Sequence, residues 1–507
     1  MFFILFSFRK NRTNIVNKSF ILKNFVFQVN EHVFLESEIV RRVPFQLTGG
    51  QTDAVRMLAS FVNSEDVRRV FLLCGYAGTG KTTVISALVR AMRATRRRTV
   101  LLAPTGRAAK VFSLYSDTPA YTIHKKIYRQ KSALDDTVFS LDNNLYEDTL
   151  FIVDESSMIS NDGVGAAAFG SGRLLDDLIS YVYSGKGCSL LLTGDTAQLP
   201  PVGEIISPAL DASALQSYGL SVSSYVLTDV VRQNSDSGIL YNATLLRKFL
   251  VSQPGGKFVF HLDGYSDLNK IRGDELIENI SGCYSRDGVE QTIVLCRSNR
   301  RAIIYNNGIR STILDREERL CRGDLIMVVK NNYFWTERLI ADALAAQEPV
   351  TGIPAFIANG DMAEVRRISH EREMYGFSFA DVTLTFPDYD DYEMDVTLML
   401  DTLSSEAPAL TREQQESFFQ KVLEDYSDVP DRRERARLIR QNPYFNAFQV
   451  KYAYAVTCHK AQGGQWTNVF IDQGYVPSEE SGPDYFRWLY TALTRSTKNV
   501  YLVNWPD

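Results

Sequence analysis

Cysteine and histidine are scarce in this sequence, which has six of the former and five of the latter among 507 residues. The cysteines are Cys74, Cys188, Cys283, Cys296, Cys321 and Cys458. No two of them form a C-x-x-C pair, so the sequence lacks the ligand spacing of the common zinc and redox motifs. Because so few cysteines in so long a chain are typical of a reducing compartment, we predict a cytoplasmic location.

Long apolar runs and an excess of basic charge are also missing. The apolar run at residues 1–8 is too short for a membrane helix, and no later segment reaches the roughly 18 apolar residues that a span requires. We therefore expect no membrane partner. The formal net charge is -5, so any nucleic acid would have to meet a local basic lining.

What the chain does have is a regular alternation of apolar segments and helical patterns. The apolar segments at 70–75, 99–104, 149–155 and 188–195 are predicted strands, each ending in polar or turn residues. Buried strands that alternate with helices predict a parallel sheet, which binds its ligands beyond the carboxyl ends of the strands. A second set of this kind begins near residue 238, so the predicted fold class is α/β with more than one domain.

The segment GYAGTGKTT at 75–83 matches the pattern G-x-x-x-x-G-K-[ST] and lies between a predicted strand and a predicted helix. Its glycines let backbone N–H groups surround phosphates, Lys81 is placed to contact the β- and γ-phosphates, and Thr82 to ligate Mg²⁺. The predicted nucleotide-binding residues here are Gly75, Gly78, Gly80, Lys81, Thr82 and Thr83. A chance glycine loop is the alternative, which the strand–loop–helix context disfavours.

Two later strand ends carry residues that suit hydrolysis. Asp154 and Glu155 follow an apolar strand, where Asp154 is predicted to hold the metal and Glu155 to polarise the attacking water. Gln198 lies in LLTGDTAQLPPVG and is a candidate γ-phosphate sensor, because an amide both donates and accepts hydrogen bonds. An ordinary turn is the alternative for that segment. These residues predict nucleotide hydrolysis without indicating what it drives.

The segment TCHKAQGGQW at 457–466 leaves three interpretations open from its residues alone. Cys458 and His459 could form half of a metal site, His459 could be a catalytic base, or the segment could serve another purpose. The chain provides no neighbouring cysteine or histidine with metal-ligand spacing, which disfavours the first interpretation.

The series GYAGTGKTT, APTGRAAK, TIH, VDESSMI, GDTAQLPPVG, VVRQ, VTCHKAQGGQW and YTALTRS occurs in this order. Taken together, the series resembles the superfamily 1 helicases, and specifically the RecD-like group that moves 5′ to 3′ on DNA. The resemblance covers residues 44–496, and it implies two RecA-like domains with ATP and Mg²⁺ between them. The implied partners are single-stranded and forked DNA.

The resemblance also implies roles for individual residues around the nucleotide. Gln51 would read adenine, and Arg232 and Arg495 would reach the γ-phosphate across the cleft between the domains. An arginine in that position can be worth about 10³–10⁵ in rate. Gln462 and Gly463 would lie toward the nucleotide.

A second group of residues is implied to contact DNA. They are Pro104, Thr105, Arg107, His124, Thr457 and His459. By the resemblance, Thr457 and His459 bind the DNA backbone, so that His459 is a hydrogen-bond donor and not a zinc ligand or the hydrolytic base. Proteins bind single-stranded DNA through such loops, which offer hydrogen-bond donors to the phosphates and flat groups beneath the bases.

The predicted domain limits follow from the motifs and from changes in composition. Residues 44–236 and 237–334 with 448–507 form the two RecA-like domains, after an extension at 1–43 of uncertain order. The resemblance implies a duplex-splitting β-hairpin at 125–150 and an SH3-like module within 335–447, which here has additional acidic and helical sequence. The Gly/Ala-rich segment 161–172 is predicted to be a loop.

Three other functions stay open at this point. The chain could be a nucleic-acid-stimulated ATPase that remodels without separating strands, or an RNA helicase, since nothing in the sequence reports contact with a 2′-OH. It could also be the motor subunit of a helicase–nuclease complex. For the DNA helicase interpretation, the resemblance implies a monomeric motor with roles and protein partners in DNA repair and recombination.

Overall fold

The structure is a computed structural model that describes residues 33–130, 139–161, 170–230, 237–252, 258–350, 352–354, 356–474 and 482–506. Several predictions fall wholly or partly outside those residues. They concern the extension up to residue 32, the centre of the hairpin at 131–138, the Gly/Ala-rich loop at 162–169, and Arg232. Among the described residues, no helix combines the length and the apolar character needed to cross a bilayer.

The helices are α1 (33–40), α2 (Gly49–Asn63), α3 (Lys81–Ala94), α4 (Gly106–Ser116), α5 (Ile123–Ile127), α6 (Leu174–Ser184), α7 (Ala212–Ser217), α8 (Gly238–Ser252), α9 (Leu276–Asp287), α10 (Asn299–Gly308), α11 (Phe334–Ala345), α12 (Asp401–Ser404), α13 (Arg412–Glu424), α14 (Arg432–Gln441) and α15 (Pro483–Leu493).

The strands are β1 (Arg69–Gly75), β2 (Arg98–Ala103), β3 (Ala120–Thr122), β4 (Tyr128–Gln130), β5 (Phe139–Leu141), β6 (Thr149–Val153), β7 (Ser189–Gly194), β8 (Ser221–Leu227), β9 (Leu268–Ile271), β10 (Thr292–Cys296), β11 (Leu325–Val328), β12 (Met362–Met374), β13 (Phe377–Phe386), β14 (Tyr392–Met399), β15 (Phe448–Tyr452), β16 (Ala455–Thr457), β17 (Trp466–Asp472) and β18 (Ser496–Val503).

The first sheet is parallel throughout and has the order β3-β2-β6-β7-β1-β8. Alternate residues of β1 point to opposite faces of the sheet, as the two-residue period of a strand requires. Phe71 and Leu73 pack with α2 and α3, whereas Val70 and Leu72 pack with α5 and α6 on the other side. Because both faces are covered, the strands are apolar along most of their length.

The second sheet is also parallel, with the order β16-β10-β17-β18-β9. Strands β11 to β15 form a closed barrel inserted between β10 and β16 of this sheet. Its first strand begins at Leu325 and its last ends at Tyr452, so the barrel extends beyond the predicted insertion 335–447 on both sides. The two sheets and the barrel confirm the predicted fold class. Strands β4 and β5 pair antiparallel and form the base of the predicted hairpin.

The segment VKYAYAV at 450–456 belongs to two different strands in the structure. It has no turn residue, but β15 belongs to the barrel and β16 to the second sheet. Tyr454 holds the bend between them, since its hydroxyl accepts a hydrogen bond from the Leu325 amide at 3.0 Å and donates to Asp324 Oδ1 at 3.0 Å. The buried Asp324 carboxylate also pairs with Arg310 and Arg316. This network joins the barrel to the second sheet.

Candidate nucleotide and nucleic-acid site

The loop between β1 and α3 is shaped by its glycines. Gly78 and Gly80 have φ angles of 77° and 81°, in the left-handed region where other residues are strained. A Cβ atom on Gly75 would lie 2.9 Å from the Lys81 side chain. The Lys81 ammonium donates to the carbonyl oxygens of Gly75 and Tyr76, so it lies over the loop where a phosphate would bind.

Gln51 lies directly behind this loop. It is fully buried, and its amide nitrogen donates to the Thr79 carbonyl oxygen at 3.0 Å. Its side-chain oxygen accepts from the Thr48 amide in a capping box at the start of α2. Gln51 therefore connects the N-terminus of α2 to the phosphate loop.

The predicted acidic pair lies at the carboxyl end of β6. The Glu155 amide donates to Asp154 Oδ1 at 2.9 Å, and Glu155 has a φ of 51°, an unusual conformation for a residue with a side chain. Burial raises the pKa of Asp154, the Glu155 carboxylate raises it further, and the Lys81 charge opposes that rise. A divalent cation would relieve the repulsion between the two carboxylates.

Gln198 has a buried side-chain oxygen without a hydrogen-bond partner. The residue is 6% exposed, and its Oε1 atom is unpaired among the described residues. It lines a cavity of about 200 Å³ together with Ser157, whose hydroxyl also has no partner among the described residues. The described residues of the phosphate loop do not line this cavity. Buried polar groups are nearly always paired in native proteins, so the side-chain oxygen of Gln198 is free to accept a hydrogen bond from a ligand or water.

The second domain contacts the phosphate loop directly. The Ala77 amide donates to the Tyr490 hydroxyl at 2.9 Å, and that hydroxyl donates to Asp195 Oδ2 at 2.7 Å. The Arg247 guanidinium of α8 lies 4.0 Å from the centre of the Tyr76 ring. Sequence reasoning missed these roles, although Tyr490 lies within the quoted segment YTALTRS. No sequence motif indicated that Arg247 would contact the phosphate loop.

The backbone of Leu199 is held from the second domain on both sides. Its amide donates to the Thr491 hydroxyl at 2.8 Å, and its carbonyl oxygen accepts from the Gln462 amide at 2.9 Å. The Leu199 side chain is buried in the apolar core of the second sheet and barrel. The Gln198 segment is therefore hydrogen-bonded and packed against the second domain.

Arg495 is buried within the second domain in this structure. Its Nε donates to the Thr491 carbonyl oxygen at 3.2 Å and its Nη1 to that of Gly464 at 3.3 Å. Both carbonyl oxygens belong to the second domain. Its predicted counterpart Arg232 lies outside the described residues.

The candidate DNA residues Thr105 and Arg107 lie against the segment 457–466. Thr105 caps α4 by accepting the Ala108 amide at 3.2 Å. The Arg107 guanidinium lies 4.1 Å from the centre of the Trp466 ring and donates to the Gln465 carbonyl oxygen. The resemblance implies that Gly463 lies toward the nucleotide. In the structure a Cβ atom on Gly463 would touch Ala108 at 3.1 Å and Thr105 at 3.2 Å, so this glycine packs on the first turn of α4. Thr105, the residue after Pro104, is the N-cap of that helix.

The two candidate histidines are partly buried. Burial lowers the pKa of His124, on α5, to about 4, and it also lowers the pKa of His459. Both imidazoles are therefore neutral near pH 7. Cys458 is fully buried and its thiol donates to the Trp488 carbonyl oxygen at 3.6 Å. Within the described part of the chain, no three His, Cys, Asp or Glu side chains are grouped to hold a metal ion.

Two family models match the chain in succession. An AAA domain model matches residues 46–248, and a model of the UvrD-like helicase C-terminal domain matches residues 452–503. The first range contains the phosphate loop, the acidic pair and Gln198. The second contains the segment 457–466 and Arg495.

Curated relatives are similar over different shares of the chain. An uncharacterized protein of Acanthamoeba polyphaga mimivirus is 23% identical over 87% of this chain and 97% of its own length. The multifunctional conjugation protein TraI of Escherichia coli is 30% identical over 33% of this chain and 10% of its own length. The ATP-dependent DNA helicase dda of phage T4 is 24% identical over 56% of this chain and 61% of its own length.

Among solved structures, Pif1 helicase from Bacteroides with ADP-AlF3 and single-stranded DNA is 14% identical, with a TM-score of 0.45 and coverage of 91% and 93% of the two chains. Pif1 helicase from Candida albicans is 15% identical, with a TM-score of 0.43 and coverage of 91% and 95%. The regions that the two family models match contact each other through the Ala77–Tyr490 and Leu199–Thr491 hydrogen bonds and through the bond from Gln462 to Leu199. The chain therefore combines an AAA domain match with a UvrD-like helicase C-terminal domain match, the pairing that a superfamily 1 helicase would have.

Proposed function

We propose that this protein is an ATP-dependent DNA helicase that moves 5′ to 3′ on single-stranded DNA and unwinds duplexes. The observation that carries the proposal is the position of the segment 457–466. Gln462 binds the Leu199 carbonyl oxygen beside Gln198, while Gly463 and Gln465 contact α4 at Thr105 and Arg107. One segment thus touches both the nucleotide-sensing loop and the predicted DNA track, which is what coupling between two ligands requires.

The residues around the phosphate loop fit Mg-ATP. Lys81 would contact its phosphates, Thr82 and Asp154 would hold the metal, and Gln198 would bind near the γ-phosphate. When bound, Mg-ATP supplies the phosphoanhydride whose hydrolysis drives movement. Glu155 then accepts a proton from the attacking water.

The proposed DNA track runs along the edges where both sheets end. Its residues are Pro104, Thr105, Arg107, His124, Thr457 and His459. Apart from Pro104, which has no hydrogen-bond donor, these residues offer neutral or cationic donors that suit phosphate contacts without base specificity. The names of dda, a DNA helicase, and of Pif1 bound to single-stranded or forked DNA support DNA as the substrate.

The two sheets and the motifs support limits for the two motor domains. We propose 44–236 as the first motor domain and 237–334 with 448–507 as the second, with the barrel as a module of the latter. The second domain's contacts with Ala77 and Leu199 support a cleft that changes shape with nucleotide.

A directional unwinding assay tests this function. Duplexes with a single-stranded 5′ tail should be separated in the presence of Mg-ATP, whereas duplexes with a 3′ tail or blunt ends should not. Matched RNA duplexes should be poor substrates. DNA-stimulated hydrolysis without any strand separation would favour the remodelling ATPase, and faster unwinding of RNA would favour an RNA helicase.

A shortened hairpin tests whether this segment splits the duplex without taking part in ATP hydrolysis. Replacing 131–138 with a short Gly/Ser turn should reduce unwinding at least tenfold and leave DNA-stimulated ATPase within about twofold, because the motor lies in the two sheets. The replacement stops before Asn144, whose side chain binds the carbonyl oxygens of Tyr181 and Val182. Equal losses in gel-based unwinding and in ATP turnover would show that the segment grips the strand or supports the fold.

His459 provides a second prediction. His459→Ala should leave nucleotide affinity near normal and weaken the stimulation of ATPase by single-stranded DNA about three- to tenfold, because one hydrogen bond to phosphate is lost. The exposed His370 of the barrel gives the matched control, His370→Ala, which should behave like the wild type. Unchanged stimulation in His459→Ala would contradict the assignment. Stoichiometric zinc in the purified protein that disappears in Cys458→Ser would restore the metal-site interpretation.

A further inference from the structure

The barrel places a carboxylate at the N-terminus of α4. Asp361 is fully buried and precedes β12, and its Oδ2 atom accepts hydrogen bonds from the Ala358 amide at 2.7 Å and the Tyr389 hydroxyl at 2.5 Å. Its Oδ1 atom has no hydrogen-bond partner in the part of the chain that the structure describes. That atom faces Gly106, the first residue of α4, where a Cβ would lie only 2.5 Å away.

The surroundings of this contact are charged in a complementary way. The α4 side offers Arg107 and Lys110, and the Lys110 ammonium donates to the Pro387 carbonyl oxygen at 2.6 Å. Pro387 opens the acidic segment PDYDDYE at 387–393 of the barrel. Burial lowers the pKa of Arg107, and the nearby carboxylates of Asp388 and Asp361 oppose that shift. Acidic groups of the barrel thus face the cations of α4.

A buried carboxylate with one unpaired oxygen needs an electrostatic explanation. Burial raises the pKa of Asp361 to about 7, because its surroundings penalise the charge. The unpaired oxygen faces the N-terminus of an 11-residue helix, whose partial positive charge favours an anion, and the Arg107 guanidinium interacts with the same carboxylate. A helix N-terminus flanked by a cation is also a binding site for a phosphate group.

We propose that Asp361 occupies the position of a DNA phosphate at α4, so that the barrel and single-stranded DNA compete for one site. This inference rests on the proposed function, and it adds that the barrel covers the DNA site at α4 when no DNA is bound. DNA binds only the fraction of molecules whose barrel has left α4. The apparent affinity for DNA is reduced by that fraction, about tenfold if one molecule in ten is open.

The first test compares two charge-removing variants of the barrel. Asp361→Asn keeps the shape of the side chain and removes the competing charge. Asp395→Asn is the matched control, because Asp395 lies on β14 of the same barrel with its side chain 74% exposed. Fluorescence anisotropy of labelled oligo(dT) without nucleotide gives the Kd. We expect Asp361→Asn to bind about three- to tenfold more tightly than both the wild type and Asp395→Asn.

The second test locks the contact and does not depend on the stability of the Asp361 variant. Cysteines are placed at Lys110 and Pro387 in a Cys321→Ser background, because the other five natural cysteines are buried. A short reducible bis-maleimide should join the barrel to α4. Crosslinked protein should lose at least tenfold in oligo(dT) affinity, and reduction of the linker should restore it.

The outcomes separate this inference from the proposed function. The competition hypothesis is wrong if Asp361→Asn binds oligo(dT) no more tightly than Asp395→Asn, or if crosslinking leaves the affinity unchanged. Either result leaves the helicase assignment intact. Absence of oligo(dT) binding by the wild type and by every variant would instead count against the proposed function. Weaker binding by Asp361→Asn, with an unchanged melting temperature, would show that the carboxylate supports a DNA-competent arrangement.

Discussion

Replacing Glu155 with glutamine is expected to lower kcat for ATP hydrolysis by about 10²–10⁴ while nucleotide affinity stays within a few-fold of the wild type. Glutamine keeps the size of the side chain but cannot accept a proton from water. Lys81 and Asp154, which are assigned to phosphate and metal, are untouched. The measurements are steady-state turnover on saturating single-stranded DNA and the Kd of a fluorescent nucleotide.

The matched control for this variant lies at the other end of the same strand. Glu147 precedes β6 and is exposed, so Glu147→Gln should hydrolyse ATP at the wild-type rate. Glutamine also retains the left-handed backbone of Glu155, whose φ is 51°, with a strain similar to that of glutamate. The two variants should therefore melt within a degree or two of each other. Near wild-type turnover by Glu155→Gln would assign the base to another residue.

The nucleotide half of the site was the most predictable part of the molecule. GYAGTGKTT and the acidic pair combine local spacing with strands that end at one edge of a sheet, so periodicity and motif together fix their location. In the structure Gly78 and Gly80 have the left-handed backbone conformation that a phosphate-binding loop requires. The roles of Lys81, Thr82, Asp154 and Glu155 stay predictions.

Contacts between domains could not be predicted in the same way. Tyr490 binds both the Ala77 amide and Asp195, which are hundreds of residues away in the sequence, and neither partner carries a local mark of the pairing. The ends of the barrel strands could not be predicted for a related reason. Apart from Lys451, residues 450–456 are apolar or aromatic and include no turn residue, so only the tertiary hydrogen bonds of Tyr454 show that one strand ends and another begins.

The surroundings of Gly463 could not be predicted from the sequence. The sequence offers two consecutive glycines after Gln462, and no pattern tells what they pack against. In the structure both glycines allow close packing between segment 457–466 and α4, and the nucleotide-binding role of Gly463 stays a prediction. A Cβ atom on Gly464 would lie 2.5 Å from the Trp466 ring and 3.1 Å from the Arg107 guanidinium. These glycines serve the contact between α4 and segment 457–466.

Arg495→Ala is expected to lower the rate of ATP hydrolysis by about 10³–10⁵, the range measured when an arginine that stabilises a phosphoryl-transfer transition state is removed. In this structure Arg495 donates to the carbonyl oxygens of Thr491 and Gly464, and Thr491 also holds the Leu199 amide. Closure of the cleft would have to move the guanidinium from these carbonyls to the γ-phosphate. Arg495→Lys should also be slow, because lysine keeps the charge but lacks the planar fork.

A purely structural role for Arg495 would give a different pattern. Loss of its hydrogen bonds removes the donor to the Gly464 carbonyl oxygen, whereas the Thr491 carbonyl oxygen keeps the Thr494 hydroxyl as a donor. Leaving one buried acceptor unpaired costs about 1–3 kcal/mol of folding free energy. Thermal melting measures that part, and turnover per folded molecule measures the rest. Lys498→Ala is the control, since Lys498 is an exposed cation on β18, three residues after Arg495. If Arg495→Ala melts early but its folded fraction hydrolyses ATP at the wild-type rate, Arg495 holds the domain together and the γ-phosphate is met by another cation. Arg247, which lies over Tyr76 of the phosphate loop, would then be the first candidate.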